Sequence, residues 1–391
     1  MDTIPPLSLP ILLDGATGSE LYKRGMPAGA YTEQWVLGHP EALLELQRGY
    51  VAAGSQVLIA PTFGANRVRL EQHGIFGQVA DYNRRLVELS RQAAGGRALV
   101  AGDMAPTGLF IAPFGESSFE ELVAIYTEQA AALAAAGVDL FLIETTMTMP
   151  EARAAVLACK SVSDRPVWVT FTCDENGRTL SGTDVLAAVA VLQRIGVSTI
   201  ILTAEESQDL TDALRIIAPY ARVSLGVRCP AVWLLRDMEL PNVELFVPLP
   251  HERARRLADL VRTRPHGRTV IPREVDDVAL VSDGRDAHFI DWTTGISDEI
   301  PCDHELDERL IELEDEAPAA FKLLIEEEED VITLEENLYM ITRPVCLCAQ
   351  SPELLEKALR VYAGLALYDG TWEQEERILK YFTEKYGLIC M

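Results

Sequence analysis

The sequence predicts a (β/α)8 TIM barrel over residues 1–280, followed by a small acidic α/β subdomain over residues 283–391. Three observations carry this. Eight short, nearly continuous apolar runs alternate with helical patterns, as expected of parallel strands buried on both faces. Four of those runs end in polar loops, three of them bearing glycine, and strand ends gathered at one mouth are how such a barrel builds a site. Beyond about Asp283 the repeat is lost, and acidic residues crowd positions 298–316 and 326–330.

The first apolar run, Ile11-Leu12-Leu13, hands over to Asp14-Gly15-Ala16-Thr17-Gly18-Ser19-Glu20. The second, Val57-Leu58-Ile59, leads to Pro61-Thr62-Phe63-Gly64-Ala65-Asn66. The third, Leu99-Val100-Ala101, leads to the stretch from Gly102 to Gly108, and the fourth, Leu140-Phe141-Leu142, to Ile143-Glu144-Thr145-Thr146. Strands five to eight are expected at 166–172, 199–202, 223–227 and Thr269-Val270-Ile271. Between them lie helix signals: alanine-rich 130–136 stops at Gly137, and Pro150 sits where a helix begins. No antiparallel hairpin is expected. The acidic runs read as solvated helix faces or loops. Order resumes at Pro344, with strands at 344–348, 365–368 and 388–390 separated by helices at 352–362 and 374–386.

Composition narrows the function classes. A formal net charge of −26 argues against nucleic acid or an anionic membrane as partner, since both require basic patches. No apolar run approaches the roughly 20 residues of a membrane span, and the first residues lack a basic n-region, so neither a span nor a signal peptide is expected. Seven irregularly spaced cysteines predict reduced thiols and a cytoplasmic location rather than a disulfide framework.

The candidate site residues come from the loops. In Asp14-Gly15-Ala16-Thr17-Gly18 the glycines permit a sharp turn that exposes amide groups able to hold a carboxylate. Thr62, Phe63 and Asn66 end the second strand, and Glu144 at the fourth could pair with an ammonium group; together they fit a site for an α-amino acid. Each also has an ordinary structural reading: a turn, a helix N-cap at Asn66, a satisfied strand-end acid at Glu144. The order and wording of these four segments resemble the homocysteine S-methyltransferase family, the barrel found in methionine synthases and betaine–homocysteine methyltransferases. The loop Asp174-Glu175-Asn176-Gly177-Arg178-Thr179-Leu180-Ser181-Gly182-Thr183 is similar to the family's loop after strand five, and also reads as a plain Asn-Gly turn. The resemblance implies S-methylation of homocysteine or a related thiol substrate. Its implied donor is a corrinoid or other methyl-carrier protein, a folate or an S-methyl sulfonium compound.

The resemblance also implies a zinc ion held by three cysteines, one after strand six and two after strand eight, and those ligands are missing. Ala204 follows strand six in Leu202-Thr203-Ala204-Glu205-Glu206, and Pro272-Arg273-Glu274-Val275 follows the expected strand eight. Arg228-Cys229-Pro230 replaces the family's usual Asn-Ala-Gly. A three-cysteine zinc is therefore not expected, and no catalytic residue is assigned. Cys173 and Cys229, with Glu205 or His251, could form a rearranged soft-metal site; packing as small apolar groups is the plainer reading. Cys346-Leu347-Cys348 has the wrong spacing for a zinc knuckle, and its two side chains share one strand face as core filler. Three readings follow: an enzyme of this family, a non-catalytic amino-acid-binding or partner-docking module derived from it, or an unrelated lyase or hydrolase on the same barrel.

Overall fold

The computed structural model describes residues 9–111, 114–144, 148–229, 243–248, 254–263, 270, 278–291, 295–314 and 316–391. Eight parallel strands form one sheet: β1 (Ile11–Leu12), β2 (Val57–Ala60), β3 (Leu99–Met104), β4 (Leu140–Ile143), β5 (Val167–Thr172), β6 (Thr199–Thr203), β7 (Ser224–Cys229) and β8 (Val243–Pro248). Neighbours follow chain order and β1 pairs with β8 through Ile11↔Leu245. A single bridge, Leu13↔Val57, closes the ring. Side chains complete that seam. Gln56 N→Leu12 O (2.7 Å) and Asp14 N→Val57 O (2.9 Å) join its backbones directly. Leu12 N donates to Gln56 Oε1, Ile59 N to Asp14 Oδ1 and Ser55 Oγ to Leu13 O, at 2.9–3.1 Å.

Alternation fixes which residues enter the barrel. Leu13, Ile59, Ala101, Leu142, Trp168, Ile201 and Leu245 belong to one inner cluster. β7 gives the interior Gly226, where a Cβ would come within 2.7 Å of Leu245 Cδ2. The space there is already taken, so glycine is required by packing rather than by backbone conformation. The outer layer comprises α1 (Thr17–Lys23), α2 (Thr32–Gly38), α3 (Pro40–Ala53), α4 (Arg67–Gln72), α5 (Val79–Ala94), α6 (Phe119–Ala136), α7 (Met149–Val162), α8 (Val185–Arg194), α9 (Ser207–Ile217) and α10 (Ala254–Thr263).

Two expectations are corrected here. The eighth strand is β8, not Thr269-Val270-Ile271, of which only Val270 lies within the described residues. The run at 243–248 is easily passed over because Glu244 interrupts it; that carboxylate accepts from Ser224 Oγ at 2.7 Å. An antiparallel hairpin is also present, β9 (Val278–Ser282) with β10 (Ala287–Asp291). Its turn carries Asp283-Gly284, with Gly284 at φ +100°, a recognised hairpin signal. The unbroken apolar run 278–281 conceals it: Ala279, Val281 and Ile290 are buried where the ribbon packs on α8, whereas Val278 and Leu280 are only half-buried.

The C-terminal residues form a second parallel sheet in strict sequence order: β11 (Ile296–Pro301), β12 (Ala320–Ile325), β13 (Val345–Ala349), β14 (Leu367–Tyr368) and β15 (Ile389–Cys390). Four helices connect its strands: α11 (Leu306–Glu314), α12 (Glu328–Asn337), α13 (Pro352–Val361) and α14 (Glu376–Tyr386). The strands at 345–349, 367–368 and 389–390 answer the expected ones. β11 and β12 were hidden inside the acidic stretch, and the carboxylate run at 326–330 caps the start of α12.

This sheet docks on the α6–α8 side of the barrel. Buried Arg153 of α7 donates to Leu359 O (2.8 Å) and Gly364 O (3.2 Å), and Arg360 pairs with Glu120 of α6 at 2.6 Å. Residues 151–159 of α7 and 185–192 of α8 are buried all round, as expected of helices covered on both sides. The chain turns tightly at Gly387 (φ +77°), where a Cβ would meet Leu365 and Arg194 at 2.8–2.9 Å.

Candidate functional site

A cavity of about 520 Å³ opens at the carboxyl ends of the barrel strands. Its floor follows from the inward alternation: two residues beyond inward Ala101, Leu142 and Gly226 come Asp103, Glu144 and Arg228, all three lining it. One wall is the segment Gly15–Gly18, where β1 hands over to the first turn of α1. A Cβ at Gly15 would fall 1.9 Å from the Pro248 carbonyl oxygen, so only glycine lets this loop lie against the end of β8. The segments after β1 and β2 add Tyr31, Glu33, Phe63, Arg69 and His73 to its lining. Tyr31 stacks on His73 with centroids 4.0 Å apart and donates to Gly64 O at 2.7 Å.

The expected site residues divide into two tiers. Gly15, Thr17, Phe63 and Glu144 line the cavity. Asp14, Thr62 and Asn66 are fully buried among backbone groups around it. Thr62 Oγ1 accepts from Asp103 N (2.9 Å) and donates to Asp103 O (2.8 Å), tying the ends of β2 and β3 together. Asn66 accepts from Arg69 N at 3.0 Å, the N-cap of α4. Glu151 of α7 receives Thr107 N, Thr107 Oγ1 and Tyr126 OH at 2.8–3.0 Å, which fixes the loop after β3. The loop after β5 is an Asx turn: Asp174 Oδ1 accepts from Asn176 N and Arg178 N, both at 2.9 Å. Thr145 and Thr146 lie outside the described residues.

Arg228, Arg69, Glu33, Tyr31 and His73 were not among the sequence candidates. Arg228 carried a legible signal: a guanidinium in an otherwise apolar strand, two residues past an inward glycine. Its side chain forms an ion pair with Glu144. Burial would draw the guanidinium's pKa down, yet the Glu144, Asp103 and Asp14 carboxylates together hold it above its ordinary value. Asp103 moves well above the carboxylate range, chiefly by burial and then by Glu144, with Arg228 opposing. Asp14 is raised by burial against the opposing Ile59 amide, and Glu33 by burial against the Gly64 amide. Asp103 Oδ1 and Arg228 Nε have no hydrogen-bond partner within the protein. The mouth thus gathers carboxylates and guanidinium groups, Asp103, Glu144 and Glu33 with Arg228 and Arg69, around one enclosure, a charge set suited to a zwitterion.

Within the barrel mouth, the described residues supply no set of thiolate ligands. Ala204 after β6 is buried and offers no donor, and Glu205 is exposed. Cys173 points outward into the strand–helix layer, where Sγ lies 3.5 Å from Thr203 O and burial pushes its thiol up to about 11. The Cys229 side chain and residues 249–253, His251 included, lie outside the described residues; the sequence has no cysteine between Cys229 and Cys302. Among the described residues, no helix is long and apolar enough to cross a membrane.

The profile of the homocysteine S-methyltransferase family matches residues 11–243, more than half of the chain. Among curated relatives, a methionine synthase of Mycobacterium leprae is 28% identical over 200 residues, covering 48% of this chain and 16% of its own. An S-methylmethionine–homocysteine S-methyltransferase of Pongo abelii is 32% identical over 169 residues, covering 43% of this chain and 44% of its own. This chain therefore spans less than half the length of either. The metallated homocysteine methyltransferase of Escherichia coli superimposes with a TM-score of 0.57 at 23% identity, over 64% of this chain and 95% of its own, a likeness of fold. With the profile covering every strand from β1 to β7 and the mouth built from those strand ends, the chain belongs to the homocysteine S-methyltransferase family.

Proposed function

We propose that the barrel binds a small thiol α-amino acid, homocysteine or a close relative, and transfers a methyl group to its sulfur. The observation that carries the reading is the Arg228–Glu144 pair facing the Gly15–Gly18 loop across one cavity. The loop amides would take the substrate carboxylate, and Glu144, with Asp103 beside it, the ammonium group. The thiol would then lie toward Arg228. A thiolate is the nucleophile in methyl transfer, and a fixed guanidinium lowers the cost of forming one. Asp103, whose burial raises its affinity for protons, is suited to take the thiol proton. The sulfur–methyl bond forms as the donor's bond to methyl breaks. No step is routed through a metal, because the described mouth supplies no thiolate set. The donor would be a small methyl compound or a methyl-carrier protein.

Calorimetric titration with homocysteine and methionine, followed by product analysis with a sulfonium, a methylfolate and a methylcorrinoid donor, tests this. Charge-assisted hydrogen bonds contribute about 1.5–3 kcal/mol. Glu144→Gln should accordingly weaken homocysteine binding by roughly tenfold or more. Binding without methylated product from any donor would make the barrel a receptor rather than an enzyme. Absence of binding by either amino acid would overturn the proposal.

A further inference from the structure

The second sheet carries a side-chain cluster far from the barrel mouth. Strand register places Glu299↔Lys322↔Cys346 and Leu324↔Cys348 side by side, so these residues share one sheet face. Asp369, just past β14, joins them. Cys346 Sγ and Cys348 Sγ are 4.0 Å apart, both wholly buried, and Cys348 Sγ lies 3.4 Å from Asp369 Oδ1. All three ligand atoms fall within 4.8 Å of one another.

The separations of 4.0 and 3.4 Å are close to those around a tetrahedral ion. Two thiolates each about 2.3 Å from zinc at the tetrahedral angle stand about 3.8 Å apart, and a thiolate and a carboxylate about 3.6 Å. Strand alternation brings the cysteines to one face despite the single residue between them. The third ligand comes from the neighbouring strand, where a local spacing motif cannot reveal it. Lys322 Nζ, 2.9 Å from Asp369 Oδ2 and 2.8 Å from Thr371 Oγ1, now holds the site's positive charge. Its second carboxylate, Glu299 at 3.2 Å, gives that ammonium somewhere to go.

We propose that Cys346, Cys348 and Asp369 form a binding site for a thiophilic divalent cation of the zinc class, with the fourth coordination position toward Lys322 and open to water. Two thiolates and a carboxylate suit such an ion rather than a hard one. The ion would exchange places with the Lys322 ammonium, which moves fully onto Glu299.

The test uses the full chain, reduced and stripped with chelator, then titrated with Cd²⁺ while ultraviolet thiolate-to-metal charge transfer is followed. One equivalent should bind with the intensity of two thiolates. Cys346→Ala and Cys348→Ala should each lose the site, Asp369→Asn should weaken it at least tenfold, and Cys173→Ala should leave it intact. Lys322→Met should tighten binding, which a purely structural role for the lysine does not predict. Should the cysteine variants fail to fold, maleimide labelling of the native wild-type chain, quenched at intervals and read by mass spectrometry, gives an independent reading. Zn²⁺ should protect Cys346 and Cys348 and no other thiols. A featureless titration, charge transfer that survives loss of both cysteines, or equal labelling with and without Zn²⁺ would overturn the proposal.

Discussion

At the scale of single residues, the barrel mouth depends on carboxylates kept from water. Asp14 is the clearest case, since it is buried completely yet serves the seam through Ile59 N. Its folded pKa lies above the ordinary 3.8, so the native state binds this proton more tightly than the unfolded chain does. That contribution to stability is fully present below about pH 3.8 and is lost as pH rises through the raised folded value. Asp14→Asn keeps an oxygen for Ile59 N but cannot titrate. Urea unfolding at stepped pH should show wild type losing stability relative to this variant as pH rises from about 4 toward 8; parallel curves would show Asp14 to titrate normally. Residue identity at the mouth was half legible in the sequence. Gly15, Thr17, Phe63 and Glu144 announced themselves through loop wording, whereas Glu33 and His73 sit in ordinary helix and loop text and reach the cavity only through folding.

At the scale of elements, α7 shows how the two halves are joined. Arg153 is a wholly buried arginine whose pKa burial draws down to about 10, and it caps two carbonyls at the end of α13 and the start of the next loop. An orphaned buried acceptor costs about 1–3 kcal/mol. Arg153→Leu should therefore destabilise the protein by about 2–5 kcal/mol in urea melts, with protease cleavage appearing first within 296–391. A cost under 0.5 kcal/mol would mean that water replaces the guanidinium. Strands whose apolar runs are unbroken, such as β2, β4 and β13, were readable because both faces are buried. β8, β11 and β12 were not, since Glu244, Glu299 and Lys322 break their runs with polar groups that find partners only across strands.

At the scale of the whole molecule, the second sheet acts as cover for the barrel. Helices α7 and α8 carry almost no polar outer face, which suits a position between two layers and would not suit a free barrel surface. A chain ending at Asp291 should expose that apolar surface and associate into oligomers or precipitate. Light scattering at equal concentrations would check this, and a monodisperse monomer would show that the cover is dispensable. The acidic composition that first suggested a separate appendage describes only its solvent side. Its inner side, Val345 to Ala349 and Leu365 to Tyr368, is as apolar as the barrel itself.

The joint between β1 and β2 has one further consequence. A ring whose other neighbours pair as parallel ladders will breathe where a single bridge and a few side chains do the closing. Amide hydrogens of Asp14 and Gln56 should exchange with deuterium sooner than those along β4 to β6. An amino acid held by the Gly15–Gly18 loop on one side and Glu144 on the other would span the opening and slow that exchange. Hydrogen exchange with and without homocysteine reads this directly, and a ligand that protects every strand equally would place the weak point elsewhere. Occupancy of the site would then set how long the barrel stays closed.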